Sequence, residues 1–599
     1  MLEQRNLLLA VVVSVAILLT YQILFEQPRI EKARQQQQTT QVPAAPGAPS
    51  APGTPAAPGG STAPAAPGTA ATPAVPGAAP GAPGTPAAPG APAQAATRDA
   101  VVAAGPRIAI ETPKLKGSLA LDGLRLDDLV LTEYRQTVDP GSPPITLLSP
   151  EGTAAPYFAQ LGWLSADPES PAPGVATRWQ ANGRRLTPDT PVTLTWDNGS
   201  GLRFIQEIAV DKDYMFTVTR RVVNASAKSV TLYPFGLVKR LGEPHTDGLF
   251  ILHEGPVGVL DGTLQEVSYS KLRDDGEVKG KSTGGWIGIT DKYWLAALLP
   301  DQKTGNEMRF SHHLEGQKDA YQTDYRGDAV VVAPGATAAT TDRVFAGAKV
   351  VRVLDRYETE LGVHRFDRAI DFGWFYFLTK PIFYALEYFH RHLGNFGLAI
   401  LLFTVLIKAA FFPLANKSYK AMSRLKLLQP KMMELRERYK DDRMRMNQAM
   451  MELYKKEKAN PMAGCLPIAI QIPVFFALYK VLYVTIEMRH APFYGWIQDL
   501  SAADPTSVLT LFGLIPVTLP HFLHIGVWPV IMGITMFLQQ KLNPQPMDPA
   551  QQKIFMMLPI VFTFVLAQFS AGLVIYWAWN NLLSILQQWL IMRRMGVKP

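Results

Sequence analysis

One basic residue lies inside a long apolar segment that contains no acidic residue. The segment from Asn395 to Leu414 reads NFGLAILLFTVLIKAAFFPL, and Lys408 is its only charged residue. A charged side chain inside a bilayer costs from about 3 to more than about 10 kcal/mol. Lys408 therefore needs a hydrated cavity, a polar partner or an anionic ligand. The alternative is that its side chain extends to the membrane surface, about 9 Å away near Leu414.

The apolar C-terminal third contains few other polar side chains. Thr404 precedes Lys408 by four residues and shares its helical face. The remaining candidates are Gln471, Gln568, Asn580 and Asn581, with Tyr576 and Trp577 beside the last two. These side chains could line one hydrated groove. Equally, the amides could bridge helices for about 0.6 kcal/mol each, and the aromatic rings could face lipid. Composition and spacing leave both interpretations open.

Enzyme signatures are missing from the sequence. It has no phosphate-binding glycine loop, no HExxH motif and no paired cysteines for a metal site. We therefore predict no catalytic residue, no metal and no cofactor. The single cysteine, Cys465, excludes an intramolecular disulfide. Four histidines in the middle of the chain keep a tethered hydrolase or sugar-modifying enzyme open as an alternative: residues 245, 253, 312 and 313.

The N-terminal region predicts an anchor followed by a tether. Leu7 to Phe25 is an apolar run long enough to span a bilayer, and no small-residue cleavage pattern follows it. Residues 1–27 are therefore predicted to form an uncleaved transmembrane anchor. From Val42 to Thr97 the chain is rich in Pro, Ala and Gly and carries no charge. Such a sequence cannot bury a core, so residues 28–105 are predicted to be a disordered tether.

Residues 106–368 predict an all-β domain. Short segments of alternating apolar and polar residues are separated by Gly, Pro, Asn and Asp. The pairs Asp122-Gly123 and Asn198-Gly199 fall where hairpin turns are expected. A sandwich of two sheets is the expected packing. Residues 369–393 then mix aromatic and charged side chains around Pro381, which predicts a bent amphipathic helix in the membrane interface.

The C-terminal region, residues 394–599, predicts five membrane spans after the anchor, six in total. The candidates are Asn395–Ala415, Gly464–Ile486, Gly526–Gln540, Ile554–Phe569 and Ala571–Ile591. A further apolar stretch, Val508 to Phe522, contains Pro516 and Pro520. Counting it as a span would place the basic tail outside, so we expect a re-entrant or interfacial segment on the outer face.

Charge distribution sets the predicted topology. The loop 416–463 carries thirteen Lys or Arg and six acidic residues. In the loop 487–524, Arg489 is the single Lys or Arg. The basic loop should be cytoplasmic, as should both termini, and the β domain should lie outside. Apolar residues at helical spacing predict a hairpin of two helices in the basic loop, turning at Lys440 to Asp442. Its methionines and basic face are candidates for contacting apolar segments, anionic lipid or ribosomal RNA.

The order of long motifs resembles one family. QRNLLL, GGWIGITDKYWLAALLP, FGWFYFLTKPIF, NFGLAILLFTVLIKAAFFPL, LQPKMMELRERYKDD, NPMAGCLPIAIQIPVFFALY, APFYGWIQDLSAADP, DPAQQKIFMMLPIVFT and AGLVIYWAWNNLLSILQQ are together similar to the YidC membrane protein insertases of Gram-negative bacteria. The resemblance covers nearly the whole chain except the tether. It implies an inner-membrane protein with a periplasmic β-super-sandwich related to sugar mutarotases, and a five-helix insertase core with a cytoplasmic hairpin. It also implies cooperation with the Sec translocon and ribosomes.

The resemblance assigns roles to some of the candidate residues. Lys408 falls where the family usually has an arginine in its substrate groove, Thr404 on a substrate-contacting threonine, and Tyr576 with Trp577 on a tyrosine pair. Lysine lacks the planar fork of arginine and would meet a carboxylate as a point charge. Trp577 and Gln568 replace other side chains of the family pattern, and Ser570-Ala571 stands where Pro-Ser often precedes the glycine.

The sequence therefore predicts an insertase that moves nascent transmembrane segments into the inner membrane, alone or with the Sec translocon, and that assists their folding. Membrane lipids and the ribosome are expected partners. DNA is not, because the net charge of +8 is modest and its basic excess gathers in one loop. The alternatives are a small-solute transporter or channel, and a membrane-anchored periplasmic carbohydrate-processing enzyme. A transporter would need broken helices or repeated halves, which the predicted spans lack.

Overall fold

The computed structural model describes residues 96–244, 246, 252–440, 442–457, 466–516, 520, 523–543 and 549–594. The predicted N-terminal anchor, most of the predicted tether, His245 and Cys465 lie outside the described residues. Residues 430–457 belong to one compact unit and the other described residues to a second one.

The second unit begins with a β-rich domain of twenty described strands. They are β1 Arg107–Glu111, β2 Leu115–Ala120, β3 Arg125–Arg135, β4 Pro144–Leu148, β5 Tyr157–Ser165, β6 Gln180–Ala181, β7 Arg185–Leu186, β8 Val192–Asp197, β9 Leu202–Val210, β10 Met215–Asn224, β11 Val230–Leu241, β12 Gly255–Leu260, β13 Thr263–Glu266, β14 Glu277–Thr283, β15 Trp286–Thr290, β16 Trp294–Leu299, β17 Gly305–Glu315, β18 Lys318–Gly327, β19 Val330–Val332 and β20 Thr337–Ala348.

The strands form two sheets that share one core. The first follows the order β14-β17-β18-β11-β5-β3-β2-β1-β7, with β19 and β4 paired to β11 and β3. The second follows β13-β12-β15-β16-β20-β10-β9-β8-β6. Large apolar side chains from both sheets, including Trp163, Phe204 and Trp286, are fully buried between them. The structure thus shows a β-rich domain of two packed sheets, which is the coarser part of the prediction.

Both predicted hairpin turns are confirmed. Asp122-Gly123 lies between β2 and β3, and Asn198-Gly199 between β8 and β9, which pair antiparallel. Gly123 has a φ of 72° and Gly199 a φ of 75°. Glycine adopts this left-handed conformation without steric cost, which is why these dipeptides mark the turns.

The described helices, in chain order, mostly follow the β strands. They are α1 Arg98–Ala103, α2 Tyr269–Asp275, α3 Val351–Leu361, α4 Tyr376–Leu393, α5 Phe396–Ala410, α6 Phe412–Arg438, α7 Arg443–Lys456, α8 Leu466–Val484, α9 Val527–Leu542, α10 Pro549–Leu566 and α11 Ala571–Arg594. Short 3-10 helices cover Phe366–Ala369, Ile486–Met488 and Leu511–Gly513.

The predicted span Asn395–Ala415 does not form one straight helix. The chain bends by 69° between α5 and α6, and the break lies at Phe411. Pro413 explains the break, because it lacks an N–H and its ring clashes with the carbonyl of residue 409 in a continuous helix. Among the described residues, no single helix is long and apolar enough by itself to cross a bilayer, while α5 and α6 together reach that length and hydropathy.

The β-rich domain is fastened to the helices that follow it. Helix α4 continues through Pro381, and its Lys380 pairs with Asp355 of α3 at 2.8 Å and with Asp367 at 2.5 Å. Further along, Arg489 donates hydrogen bonds to two backbone carbonyls at the end of β3, those of residues 135 and 136, at 2.6 and 3.2 Å. Glu487 accepts a hydrogen bond of 3.0 Å from the Val351 amide, at the first residue of α3.

Candidate functional site

Lys408 lies in the last turn of α5, two residues before the helix ends at Ala410. The helix begins at Asn395, whose side chain caps it by accepting a hydrogen bond from the Leu398 amide at 3.1 Å. A cation in the last turn is favoured by the partial negative charge of the helix C-terminus. The break imposed by Pro413 therefore gives Lys408 an electrostatic environment that a continuous helix would not provide.

The Lys408 ammonium has two neutral partners. Its Nζ donates a hydrogen bond of 2.7 Å to Ser584 Oγ on α11 and lies 3.5 Å from Gln471 Oε1 on α8. Ser584 Oγ in turn donates to the Asn580 carbonyl at 2.8 Å. Three helices thus meet at one cation, through a hydroxyl and an amide.

Gln471 connects Lys408 to two of the other predicted residues. Its Nε2 donates to the Tyr576 hydroxyl at 3.1 Å and to Asn580 Oδ1 at 2.8 Å. We call Lys408, Gln471, Tyr576, Asn580 and Ser584 the Lys408 cluster. The structure thus brings together four of the residues predicted from sequence and adds Ser584.

The charge of Lys408 is not neutralised within the described part of the chain. No described carboxylate forms an ion pair with it, and its side chain is only partly buried. An ammonium has three N–H donors, of which Ser584 takes one and Gln471 another over a long distance. The cluster can therefore hold a cation in place and still offer a donor and a positive charge to a carboxylate or a backbone carbonyl.

Four predicted residues lie outside the Lys408 cluster. Thr404 is buried, and its Oγ1 donates to the Ile400 carbonyl of the same helix at 2.7 Å. Asn581 Nδ2 donates to Thr535 Oγ1 at 3.4 Å and links α11 to α9. These contacts match the open alternative in which polar groups in apolar helices satisfy each other.

Trp577 and Gln568 differ from each other in burial. The Trp577 ring packs against Phe475, with centroids 4.6 Å apart, and against Phe562 at 5.9 Å. Gln568 is exposed in the short connection between α10 and α11. The structure brings neither side chain to Lys408.

Sequence reasoning missed Ser584, although a signal was present. Helix α11 carries a stripe of buried polar residues whose spacing is three to four: Asn580, Ser584, Gln587 and Gln588. Residues at this spacing share one helical face. Gln588 Nε2 donates to the Leu542 carbonyl at 3.1 Å, so the stripe continues to the end of α9. Reading α11 as a face, instead of residue by residue, would have found Ser584.

Two of the four histidines, and one group of carboxylates, that could suggest an enzyme or a metal site have partners within the protein. His253 Nε2 lies 2.9 Å from the Pro256 carbonyl, and His312 Nε2 lies 2.7 Å from Asp319 Oδ1. Within the described residues, one group of three carboxylates has metal-ligand spacing: Asp355, Glu358 and Asp367. Lys380 forms ion pairs with two of them, so a cation already occupies this group.

Comparison with known proteins gives matches along almost the whole chain. Residues 107–385 match the family model described as the YidC periplasmic domain, and residues 388–598 match the one described as 60Kd inner membrane protein. A relative from Methylobacterium radiotolerans, named membrane protein insertase YidC, is 56% identical over 513 residues, 84% of this chain and 83% of the relative. One of the same name from Rhizobium meliloti is 52% identical over 603 residues, 100% of this chain and 96% of the relative.

A solved structure was also matched. It is titled "Active YidC insertase crystal structure with the first transmembrane domain resolved", and it is 16% identical, covering 81% of this chain and 92% of its own. Its TM-score of 0.32 is too low to support an argument. The family of this chain is therefore judged from the family models and the similar sequences, and not from this structure.

Proposed function

Because the chain belongs to the family of YidC membrane protein insertases, we propose that it moves nascent transmembrane segments from the cytoplasm into the inner membrane through a hydrophilic groove at Lys408. The observation that supports the proposal most strongly is the set of partners around Lys408. It lies in an apolar helix, it has a hydroxyl and an amide as partners, and no described carboxylate pairs with it.

In the proposed mechanism, the hydrophilic flank of a substrate enters the groove from the cytoplasm. Its acidic groups or carbonyls contact Lys408 transiently, while its apolar part moves into lipid. About twenty apolar residues, at about 0.3 to 0.6 kcal/mol each, favour that transfer. An acidic flank that moves outward gains up to about 2.3 kcal/mol per charge per 100 mV of membrane potential. These contributions need no nucleotide.

The Lys408 cluster has the strength that a transient contact requires. A carboxylate paired with a buried cation in a closed site would be held tightly, whereas Lys408 is partly exposed and already shares its donors with Ser584 and Gln471. A substrate carboxylate would meet the remaining N–H donor while Ser584 and Gln471 keep theirs. Such a contact would lower the barrier for the flank without trapping it.

We further propose six spans, with both termini and the helices α6 and α7 in the cytoplasm and the β-rich domain in the periplasm. The thirteen basic residues of loop 416–463 support this orientation. The two helices of that loop end and begin at Arg438 and Arg443, and Lys431 and Glu457 link them by an ion pair of 2.8 Å.

The Sec translocon, the ribosome and membrane lipids are proposed partners of this arrangement. Basic side chains on α6 and α7 suit ribosomal RNA and anionic lipid. Three methionines of the same helices are exposed and suit apolar segments of varied shape: Met433, Met444 and Met451.

The test is insertion of a single-span substrate with an acidic N-terminal tail into liposomes that contain the purified protein. Lys408→Arg should retain activity because it retains the cation. Lys408→Glu should slow insertion at least about tenfold, equivalent to about 1.4 kcal/mol, because it repels the tail. Protease protection of the tail measures insertion.

The matched control is Lys271→Glu, which makes the same charge reversal at an exposed lysine of the β-rich domain, on α2. It should leave insertion near the wild-type rate. A substrate whose tail lacks acidic residues should be less sensitive to Lys408→Glu. Unchanged insertion of acidic-tailed substrates by Lys408→Glu would refute the proposed role.

A further inference from the structure

Residues 508–515, which precede α9, expose a dense set of apolar side chains. Five of these eight residues are exposed by 41% to 81%: Leu509, Leu511, Phe512, Leu514 and Ile515. We call residues 508–515 the apolar loop. A contiguous apolar patch of this kind on a loop indicates a contact surface.

The apolar loop has a defined backbone conformation. Leu511 and Phe512 are in the left-handed region, with φ of 48° and 59°. A residue other than glycine in this backbone conformation is strained by about 1 to 3 kcal/mol, so the surrounding contacts must hold it there. The Phe512 amide donates to the Ser507 carbonyl at 3.0 Å, and the Ile515 amide to the Thr510 carbonyl at 3.1 Å. This closed turn keeps the apolar side chains on its outside.

The base of the apolar loop is attached to the first turn of α9. The Val508 amide donates to the Ile525 carbonyl at 2.9 Å. Just before the loop, Asp504 Oδ2 accepts from the Trp528 amide at 2.9 Å, and Thr506 Oγ1 accepts from the Val527 amide at 3.0 Å. The apolar loop therefore starts at the N-terminal end of α9.

The apolar loop and α9 as far as Gln540 lie in one charge-free stretch of the sequence. No Asp, Glu, Lys or Arg occurs between Asp504 and Lys541. Four apolar side chains of α9 are also exposed: Ile531, Ile534, Phe537 and Leu538. In an inner-membrane protein, a helix surface of this kind faces lipid. The apolar loop thus continues a lipid-facing surface at the end of α9 that the proposed topology places outside.

We propose that the apolar loop inserts into the outer leaflet of the inner membrane and anchors the extramembrane segment before α9 at the lipid surface. The proposal rests on the orientation given under the proposed function. The exposed side chains of the loop are apolar, and none is charged, which suits the boundary between headgroups and acyl chains. A specific protein partner would be expected to require polar or charged groups that fix its register.

The test uses the full chain in nanodiscs of phosphatidylethanolamine and phosphatidylglycerol, with Cys465→Ser as background. A cysteine introduced at Leu514 carries an environment-sensitive fluorophore, and lipids with a quencher near the headgroup report contact. We expect blue-shifted emission and roughly twofold stronger quenching than at Gln498, an exposed polar position of the same loop region. Labels at Leu509 and Phe512 should behave as Leu514 does.

Equal emission and quenching at Leu514 and Gln498 would overturn the proposal. Shielding of Leu514 that appears only after a substrate is added would also overturn it, in favour of a contact with the nascent segment. Insertion by the Lys408 variants is measured separately in liposomes, so failure of the lipid contact is distinguishable from failure of the insertase proposal.

Discussion

Two cations, one in the β-rich domain and one in the helical region, are stabilised in opposite ways. Arg220 on β10 is fully buried and forms an ion pair with Asp342. Its guanidinium also donates to the Phe235 carbonyl at 2.7 Å and to the Tyr325 hydroxyl at 3.0 Å. Lys408 is partly buried and has the neutral partners Ser584 and Gln471.

The difference separates a structural cation from one that can act on a ligand. The charge of Arg220 is neutralised, and both terminal nitrogens of its guanidinium have acceptors, so it holds the two sheets together. Asp342 lies on β20 of one sheet, while Phe235 and Tyr325 lie on β11 and β18 of the other. Lys408 has no ion-pair partner among the described residues, so the proposed function needs it to meet a substrate group instead. Burial alone therefore does not mark a candidate functional cation, whereas burial without a counter-charge makes Lys408 a candidate.

The largest expected effect comes from breaking the neutralised pair. Arg220→Met leaves Asp342 buried without its cation, and breaking a buried pair in this way costs about 3 to 5 kcal/mol. We expect the free energy of unfolding of the β-rich domain to fall by that amount. Urea unfolding of the full chain in nanodiscs, followed by circular dichroism in the β-strand region, measures it.

The double variant Arg220→Met, Asp342→Leu is the control, because replacing both partners by apolar side chains removes the unpaired charge. It should recover most of the lost stability. If the single variant is as stable as the wild type, then the Arg220 pair does not hold the sheets together and the comparison with Lys408 fails.

The elements around these two cations were predictable to different degrees. Strand alternation and the turn pairs Asp122-Gly123 and Asn198-Gly199 are local signals, and the structure confirms them. The Arg220 pair joins residues 122 positions apart, which no local pattern reports. The break at Phe411 was missed, although Pro413 marked it, because apolar length was read without regard to the missing amide.

The second-largest expected effect is on stability, at the contact between the β-rich domain and the helices that follow it. Burial raises the pKa of Glu487 from 4.5 to about 7, and the nearby carboxylates of Glu387 and Asp355 add to the shift. Its Oε2 has no hydrogen-bond partner among the described residues. Glu487 is thus a partly buried carboxyl group without an ion-pair partner among the described residues, the converse of Lys408.

The shift in the pKa of Glu487 sets the direction in which the stability of the protein changes with pH. The folded pKa lies above that of an exposed glutamate, so the contribution of Glu487 to stability is full below pH 4.5 and is lost as the pH rises through about 7. We expect Glu487→Gln to match the wild type near pH 4 and to be more stable above pH 7, by up to about 3 kcal/mol.

The free energy of unfolding of the variant and of the wild type is measured across this pH range. In the difference between the two values, the contributions of the other titrating groups cancel. Gln498→Asn, a change at an exposed neutral side chain of the same loop region, is the control, and its difference from the wild type should not vary with pH. A constant difference between Glu487→Gln and the wild type at all pH values would contradict the prediction.

Part of the Lys408 cluster was also predictable. Polar residues in apolar helices are rare enough to be noticed singly, and Lys408, Gln471, Tyr576 and Asn580 do meet. Which of them meet depends on the rotation of three helices about their axes. The sequence does not give that rotation, so Thr404 and Gln568 could not be separated from the cluster in advance.

The smallest expected effect tests what Ser584 contributes to the availability of Lys408. Ser584→Ala removes the hydrogen bond of 2.7 Å to the ammonium. A hydrogen bond contributes about 1 kcal/mol net, so we expect insertion of acidic-tailed substrates to slow about fivefold, less than with Lys408→Glu. Ser584→Thr retains the hydroxyl and should retain activity. Substrates with neutral tails should be unaffected by either change, because they do not use the charge. If Ser584→Ala slows neutral-tailed substrates equally, Ser584 only packs helices, and Lys408 does not depend on it to meet the substrate.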